Sequence, residues 1–173
     1  MDFIIPGIEI NIDAFLKTNT ARVSLRKKGS DTEFLHPNNI GFGITYVLPI
    51  IVSGLIAQKG CMMIVENPEA HLHPSGQSRI GQFLGRIAGS GIQVVVETHS
   101  EHVINGVRLA TLKKSISPKK VSILYFSQDT RAGTPKVEPI NVTIDNDLTK
   151  WPAGFFDQEQ RDLAEIIKNR KGN

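Results

Sequence analysis

Apolar and polar residues alternate in two segments near the start of the chain. Residues 8–12 and residues 21–25 each place an apolar side chain at every second position, a pattern typical of strands that have one face on the core. Gly29, Ser30 and Asp31 then favour a turn. We therefore expect two half-buried strands, paired antiparallel, ahead of the main body of the fold.

The centre of the chain changes to continuous apolar runs. Residues 62–66 and residues 92–97 are such runs, and each ends in an acid, which is typical of strands buried on both faces of a sheet. Residues 75–88 between them have helical spacing, and a second helix is expected from about Glu101. A third apolar run, residues 121–126, completes an order that predicts three parallel strands joined by right-handed crossovers.

Helical spacing also marks residues 46–57, ahead of the first of these strands, and a closing segment that follows Asp157. Residues 137–144 alternate like an edge strand. We therefore predict an α/β fold. It consists of a mostly parallel sheet flanked by helices, with antiparallel strands at the N-terminal end and a small strand and helix appended at the C-terminal end.

Composition and charge exclude some classes of protein. No apolar run approaches the roughly 18 residues that a membrane-spanning helix needs, and the first residues lack the pattern of a secretory signal. Cys61 is the single cysteine, so no internal disulfide can form, which fits the reducing cytoplasm. The net charge of +3 comes with short basic runs at residues 26–28, 113–114 and 119–120, which suit a nucleic acid or plain solvated surface equally well. We expect a cytoplasmic protein without membrane contact.

Polar residues cluster where two of the predicted strands end. Glu66 closes the first run and is followed by Glu69, while Glu97 closes the second and is followed by His99. Because ligands of open parallel sheets bind at the carboxyl ends of the strands, we expect both clusters at one rim. A carboxylate there can hold Mg²⁺, and a histidine can bond to a phosphoryl oxygen. Ordinary loop polarity, with Ser100 as a helix cap, would explain the same residues without chemistry.

A third polar segment leads into the apolar helix of residues 46–57. Gly41 and Gly43 leave backbone donors bare, and Thr45 adds a hydroxyl at the expected start of the helix, near Tyr46. Together these groups favour an anion. Thr45 could equally be no more than a helix cap, so the segment alone does not decide.

Taken in order, the three segments resemble the ATPase heads of the ABC class, specifically the SMC-like and OLD-family branch. Residues 41–45 are similar to the divergent signature motif, residues 62–69 to the Walker B strand, and residues 97–100 to the switch-histidine loop. Residues 151–158 resemble a small C-terminal domain of unknown function, DUF3696. The resemblance extends over residues 38–167, most of the chain.

The resemblance implies ATP and Mg²⁺ as cofactors and a role for each matching residue. Glu66 would stand at the Walker B position that helps to hold Mg²⁺. His99 would bond the γ-phosphate and its attacking water. The signature residues Gly41, Gly43 and Thr45 would cover the γ-phosphate of a nucleotide bound to the other subunit of a dimer.

Two departures from the family pattern limit the implied activity. The family's catalytic carboxylate directly follows the Walker B acid, where this chain has Asn67, and an amide cannot take a proton from water. Glu69 is then the nearest candidate for the general base. No Gly-x-x-x-x-Gly-Lys-[Ser/Thr] segment occurs in the sequence. ATP hydrolysis is therefore expected only if missing N-terminal sequence or a partner supplies a phosphate-binding loop.

The resemblance also predicts domains and partners. Residues 1–130 would form a partial ATPase head that lacks Walker A, and residues 131–173 a DUF3696-like appendage. Residues 70–74 would occupy the place of the D-loop, which reaches across the dimer interface. The expected partners are a second copy of the chain or the missing N-terminal lobe, with DNA and a nuclease left open. A missing lobe would leave apolar sheet surface uncovered, so the lone chain should self-associate.

Two functions from different classes follow. The first is the C-terminal part of an ATP-binding and ATP-hydrolysing protein that acts through nucleotide-gated dimerisation. The second is a non-catalytic interaction module that keeps the ATPase fold and does not bind nucleotide on its own, which Asn67 and the missing loop favour. The histidines near the two strand ends also suggest a zinc site, but no cysteine lies near them in the sequence. A serine hydrolase centred on Ser100 lacks the Gly-x-Ser-x-Gly pattern.

Overall fold

The computed structural model describes residues 3–128, 133–152 and 154–170 of the chain, which form an α/β fold. The strands and helices are β1 (Ile8–Phe15), β2 (Thr20–Lys27), α1 (Phe42–Ile56), β3 (Met62–Glu66), α2 (Pro74–Gly89), β4 (Gln93–Glu97), α3 (Glu101–Leu112), β5 (Ser122–Gln128), β6 (Pro135–Asn141) and α4 (Gln158–Arg170). Single 3-10 turns at Pro37–Asn39 and Pro118–Lys120 precede α1 and β5. None of the helices in these ranges is long and apolar enough to cross a membrane.

The two N-terminal strands pair as the alternating pattern predicts. β1 and β2 form an antiparallel hairpin whose register runs from Ile8 opposite Lys27 to Phe15 opposite Thr20. Leu25 on β2 is fully buried and also bridges to Leu35. The prediction of an antiparallel pair near the start of the chain is confirmed.

The two central strands form a parallel pair with one covered face. Met62 to Glu66 on β3 lie opposite Gln93 to Glu97 on β4, in order. Val65 is buried, and Met63, Val94 and Val96 pack against the same core. The opposite face carries Met62, Ile64 and Val95, whose exposed fractions are 57%, 69% and 46%. The parallel pairing is confirmed, whereas the expectation that both faces of β3 are buried is wrong.

The mostly parallel sheet predicted from the sequence is not confirmed. The described strands pair in three two-stranded sheets, of which β3–β4 alone is parallel. β5, the expected third parallel strand, pairs antiparallel with β6 instead. Only residues 129–134 separate β5 from β6 in the sequence, and a short connection permits an antiparallel pair but not a parallel one. The short connection between β5 and β6 therefore explains why β5 pairs with β6 in an antiparallel sheet.

Helices α2 and α3 pack unusually closely because glycines face the contact. A Cβ atom on Gly81 would collide with the carbonyl of Val103, and one on Gly106 with the carbonyl of Ser78. A Cβ atom on Gly85 would lie 2.6 Å from that of Ala110. This contact holds α3 against α2, and so fixes the loop before α3 relative to the loop before α2.

Among the described residues, two clusters of buried apolar side chains stand at the centre of the core. The larger joins α1, β3, α2 and α3, and its buried members are Ile4, Val47, Ile51, Val65, Ile80, Leu84 and Val103. The smaller joins α3 to the C-terminal part of the chain through Ile104, Ile140 and Phe155. Because the larger cluster lies directly under β3 and β4, the ends of these strands rest on packed structure.

Candidate functional site

The ends of β3 and β4 bring the predicted acidic residues together at one rim. Glu66 and Glu97 lie opposite each other in the last pair of the parallel register, and both are exposed. The Nε2 atom of His99 lies 3.9 Å from Oε1 of Glu97, and the His99 side chain is 82% exposed. Two carboxylates and an imidazole thus face solvent beside one another, as the strand-end pattern predicts.

Asn67 turns the chain sharply after β3. Its amide donates to the Glu97 carbonyl at 2.9 Å, which extends the ladder by one residue. Its φ is +45°, a left-handed conformation that asparagine adopts far more readily than most residues. The carbonyl of Asn67 then accepts from the amide of Ala70 at 3.0 Å. Backbone conformation is therefore a sufficient reason for asparagine at this position, whatever its chemical role.

Glu69 links the loop after β3 to the loop after β4. Its Oε2 accepts a hydrogen bond from the Thr98 hydroxyl at 2.7 Å, and its Oε1 accepts one from the His99 amide at 2.8 Å. Both carboxylate oxygens are thus in use within the fold. These two contacts could not be predicted from the pattern of residues, because they join residues 29 and 30 positions apart.

A second link between the loops runs through Ser100. The Ser100 hydroxyl accepts from the amides of His102 and Val103 and donates to Oε1 of Gln77 at 2.6 Å. The side-chain amide of Gln77 donates in turn to the Leu72 carbonyl at 2.9 Å. Ser100 is buried and caps α3, so the simple helix-cap interpretation of this residue is confirmed. Nothing in the sequence separates Gln77 from other polar residues on α2.

The glycine segment differs from its prediction in one respect. Helix α1 begins at Phe42 with Gly41 as its cap residue, at φ +147° and without a side-chain cap. Thr45 therefore lies one turn inside the helix rather than at its start, so the expectation of a helix start near Tyr46 is wrong. The Thr45 hydroxyl oxygen is buried and has no hydrogen-bond partner. The apolar spacing predicted too late a start for α1, because the glycines of its first turn add no apolar side chains to the pattern.

Gly43 contacts the loop that follows β3. A Cβ atom at Gly43 would lie 2.6 Å from the His71 carbonyl oxygen and 3.3 Å from Cδ2 of Leu72. The Tyr46 ring lies 5.0 Å from the His71 ring. The loop that carries Glu69 therefore packs on α1 on one side and ties to the His99 segment on the other.

The acidic and histidine residues do not form a ready-made metal cage. Within the described ranges, no group of three or more His, Cys, Asp or Glu side chains could hold a metal ion. His73 is engaged as the cap of α2, where Nδ1 accepts from the Ser75 amide. Mg²⁺ differs from zinc because it is usually bound by one or two carboxylates together with substrate phosphates. Glu66 fits that arrangement, and the zinc interpretation gains no support.

Family models account for most of the chain. Residues 5–104 match the AAA ATPase domain model, and residues 116–166 match the model for a protein of unknown function, DUF3696. The first match alone covers more than half of the 173 residues. The chain belongs to the AAA ATPase domain family. This ATPase domain contains β1 to β4 with α1 and α2, and so includes the rim at Glu66 and Glu97.

Solved structures show that the chain has a fold similar to that of SMC heads. A structure from work on ATP-driven dimerization and DNA-stimulated activation of SMC ATPases has a TM-score of 0.56 and 12% identity, over 96% of this chain and 85% of that one. The Smc head bound to the C-winged helix domain of ScpA has a TM-score of 0.61 and 11% identity, over 82% of this chain and 40% of that one. The Smc head with an extended coiled coil bound to the C-terminal domain of ScpA, from Pyrococcus furiosus, has a TM-score of 0.58 and 12% identity, over 96% and 35%.

The chain spans less than half the length of the latter two structures. At 11–12% identity these likenesses establish the fold and not the activity. No curated protein matches the chain.

Proposed function

We propose that the chain supplies the signature, Walker B and switch-histidine segments of an ATPase head that binds MgATP and acts through nucleotide-gated dimerisation. The observation that carries this proposal is the in-register pair of Glu66 and Glu97 with His99 beside it, inside a matched ATPase domain. These groups are exposed at a strand-end rim, where an open α/β sheet binds its ligand.

Glu66 and His99 at the rim would contact different parts of MgATP. Glu66 would hold Mg²⁺, which would neutralise charge on the phosphates. His99 would donate from its exposed imidazole to a γ-phosphate oxygen. The proton acceptor is a separate question, because Asn67 stands where the family has a carboxylate. Glu69 is the next carboxylate along the chain, but its two oxygens already accept hydrogen bonds, which favours another role.

The first turn of α1 would serve the nucleotide of a second subunit. Gly41 offers no side-chain cap, and its carbonyl accepts from the Ile44 amide at 3.2 Å, so the amides of Phe42 and Gly43 are the donors of this turn that another acceptor could take. The positive end of the helix dipole favours a phosphate there. Gly43 lies in this turn, and Thr45 follows it one turn inside the helix, with its hydroxyl oxygen buried. We therefore propose a second copy of the chain as the partner in closure, with DNA and a nuclease as further partners to be tested.

The phosphate-binding loop has to come from polypeptide outside these 173 residues, because their sequence contains no such loop. We also propose that residues 1–130 belong to the head and residues 131–173 to the appendage. The boundary itself lies outside the described residues. The DUF3696 match begins at residue 116, before β5. The proposed boundary at residue 130 therefore divides folding units and does not coincide with the start of that family match.

MgATP hydrolysis tests the proposal. The chain is assayed with the polypeptide that supplies the loop, obtained by reading the coding frame upstream of Met1 or by copurification. His99→Ala and Glu66→Gln should each lower turnover by about 100-fold or more. His102→Ala, which changes a histidine in the first turn of α3 that has no proposed role, is the matched control. If both rim variants hydrolyse ATP as fast as the wild type, the ATPase proposal is wrong and the interaction module takes its place.

A further inference from the structure

Glu69 holds the backbone of the segment that carries His99. One carboxylate oxygen accepts from the Thr98 hydroxyl and the other from the His99 amide, at 2.7 Å and 2.8 Å. Hydrogen bonds to an ionised acceptor are stronger than those between neutral groups. Two of them at adjacent residues fix both the position and the direction of the chain at His99.

The His99 side chain itself has little packing to hold it. It is 82% exposed, and its ring approaches Glu97 only at 3.9 Å. The place of the imidazole therefore depends on the backbone below it. Thr98 contributes to this restraint, because its hydroxyl donates to Glu69 and accepts from the Ser100 amide at 3.1 Å.

We infer that Glu69 is a positioning residue that sets the orientation of His99 through the Thr98 hydroxyl and the His99 amide. The expected effect of Glu69 on ATP hydrolysis rests on the proposed function, whereas its expected effect on the orientation of His99 does not. A general base must offer a lone pair to water, whereas both oxygens of Glu69 are directed at donors of the fold.

The Glu69→Gln variant distinguishes a positioning role of Glu69 from a role in proton transfer. In Glu69→Gln the side-chain oxygen can still accept from the His99 amide, and the side-chain NH₂ can donate to the Thr98 hydroxyl oxygen. The two contacts survive while the basic group is lost. Glu69→Ala removes both, and Thr98→Val removes one without altering Glu69. Thr98→Ser restores the hydroxyl.

The first measurement is the rate of amide hydrogen exchange at His99, monitored by NMR in the 173-residue chain without nucleotide. Exchange should be about tenfold faster in Glu69→Ala than in the wild type, because a hydrogen bond to a charged group is lost. Glu69→Gln and Thr98→Ser should recover most of the protection, and Glu101→Gln, which removes a charge from the first turn of α3, should leave it unchanged. Unaltered His99 exchange in Glu69→Ala would overturn the inference, whatever the outcome for ATP.

The second measurement is MgATP hydrolysis in the assembly that contains the phosphate-binding loop. Positioning predicts a loss of about tenfold or more in kcat for Glu69→Ala and less than about threefold for Glu69→Gln. Equal and severe losses in both variants would identify Glu69 as the base and overturn the positioning role. If His99→Ala has no effect on ATP hydrolysis while Glu69→Ala still alters amide exchange at His99, the proposed function is wrong, but the positioning of His99 by Glu69 is supported.

Discussion

The carbonyl oxygen of His71 lies 2.6 Å from the position that a Cβ atom on Gly43 would occupy. Gly43 is in the first turn of α1, and His71 is in the loop between β3 and α2, with φ at +59°. Real Cβ atoms essentially never lie closer than 3.0 Å to such a neighbouring atom. The helix therefore rests directly on the backbone of this loop, and only glycine leaves room for the contact.

Replacement of Gly43 by alanine should destabilise the fold. The atom in the way is a backbone carbonyl, which cannot turn aside as a flexible side chain can. We expect Gly43→Ala to lower the free energy of unfolding by about 2 kcal/mol, as for other overpacked sites. Urea denaturation followed by circular dichroism measures this difference.

Gly76→Ala is the control for that substitution. Gly76 is buried near the start of α2, but a Cβ atom there would meet Leu72 at 3.5 Å and beyond, an ordinary contact. Alanine also has the higher helix propensity, so Gly76→Ala should be neutral or stabilising by up to about 1 kcal/mol. Equal stability of Gly43→Ala and the wild type would mean that the contact with His71 is looser in solution.

Gly43 also shows where interpretation of the sequence reached its limit. The anion-binding interpretation used the glycine as bare backbone, whereas the structure adds a packing partner, His71, that is far away in the sequence. Helices and strands could be predicted because spacing along the chain reports which face is apolar. The pairing of β5 with β6 and the contact of Glu69 with Thr98 could not, since they depend on which distant segments meet.

Thr45→Val should stabilise the protein. The Thr45 hydroxyl is buried without a hydrogen-bond partner, and such a group costs about 1–3 kcal/mol. Valine has the same shape and a similar helix propensity. We expect the free energy of unfolding to rise by about 1 kcal/mol, measured by urea denaturation. If Thr45 contacts a nucleotide across a dimer, the same variant should weaken ATP-dependent dimerisation.

Thr111→Val is the matched opposite case. The Thr111 hydroxyl is also buried, but it donates to the Arg108 carbonyl at 2.7 Å and lies 2.7 Å from Oδ1 of Asn146. Its removal should lower the free energy of unfolding by about 1–2 kcal/mol. A Thr45→Val variant that is destabilised as much as Thr111→Val would show that the Thr45 hydroxyl has a partner in solution.

Stability should fall in acid partly because of Glu138. Hydrogen bonds from Lys150 and Lys136 hold the pKa of Glu138 below its usual value of 4.5. A carboxyl with a lowered pKa in the folded state stabilises the fold above that usual value, and the effect is lost as the pH falls through the lowered pKa. The difference in Tm between the wild type and Glu138→Gln should therefore be largest near neutral pH and close to zero near pH 2.

Thermal unfolding across this pH range checks the point, with Glu165→Gln on the exposed face of α4 as the control. The control removes a carboxylate that lies outside the lysine pair around Glu138. A Tm difference for Glu138→Gln that stays constant down to pH 2 would contradict the lysine contacts as its cause.

The uncovered face of β3–β4 gives the last prediction. Met62, Ile64 and Val95 form an exposed apolar strip, and such strips favour association. The lone chain should therefore self-associate with increasing concentration, and Ile64→Thr should raise the dissociation constant by about tenfold while keeping a residue suited to strands. Sedimentation equilibrium measures both. Ile12→Thr makes the same change at an equally exposed site on β1 and should have little effect. A wild-type chain that stays monomeric at high concentration would show that this apolar strip does not drive association.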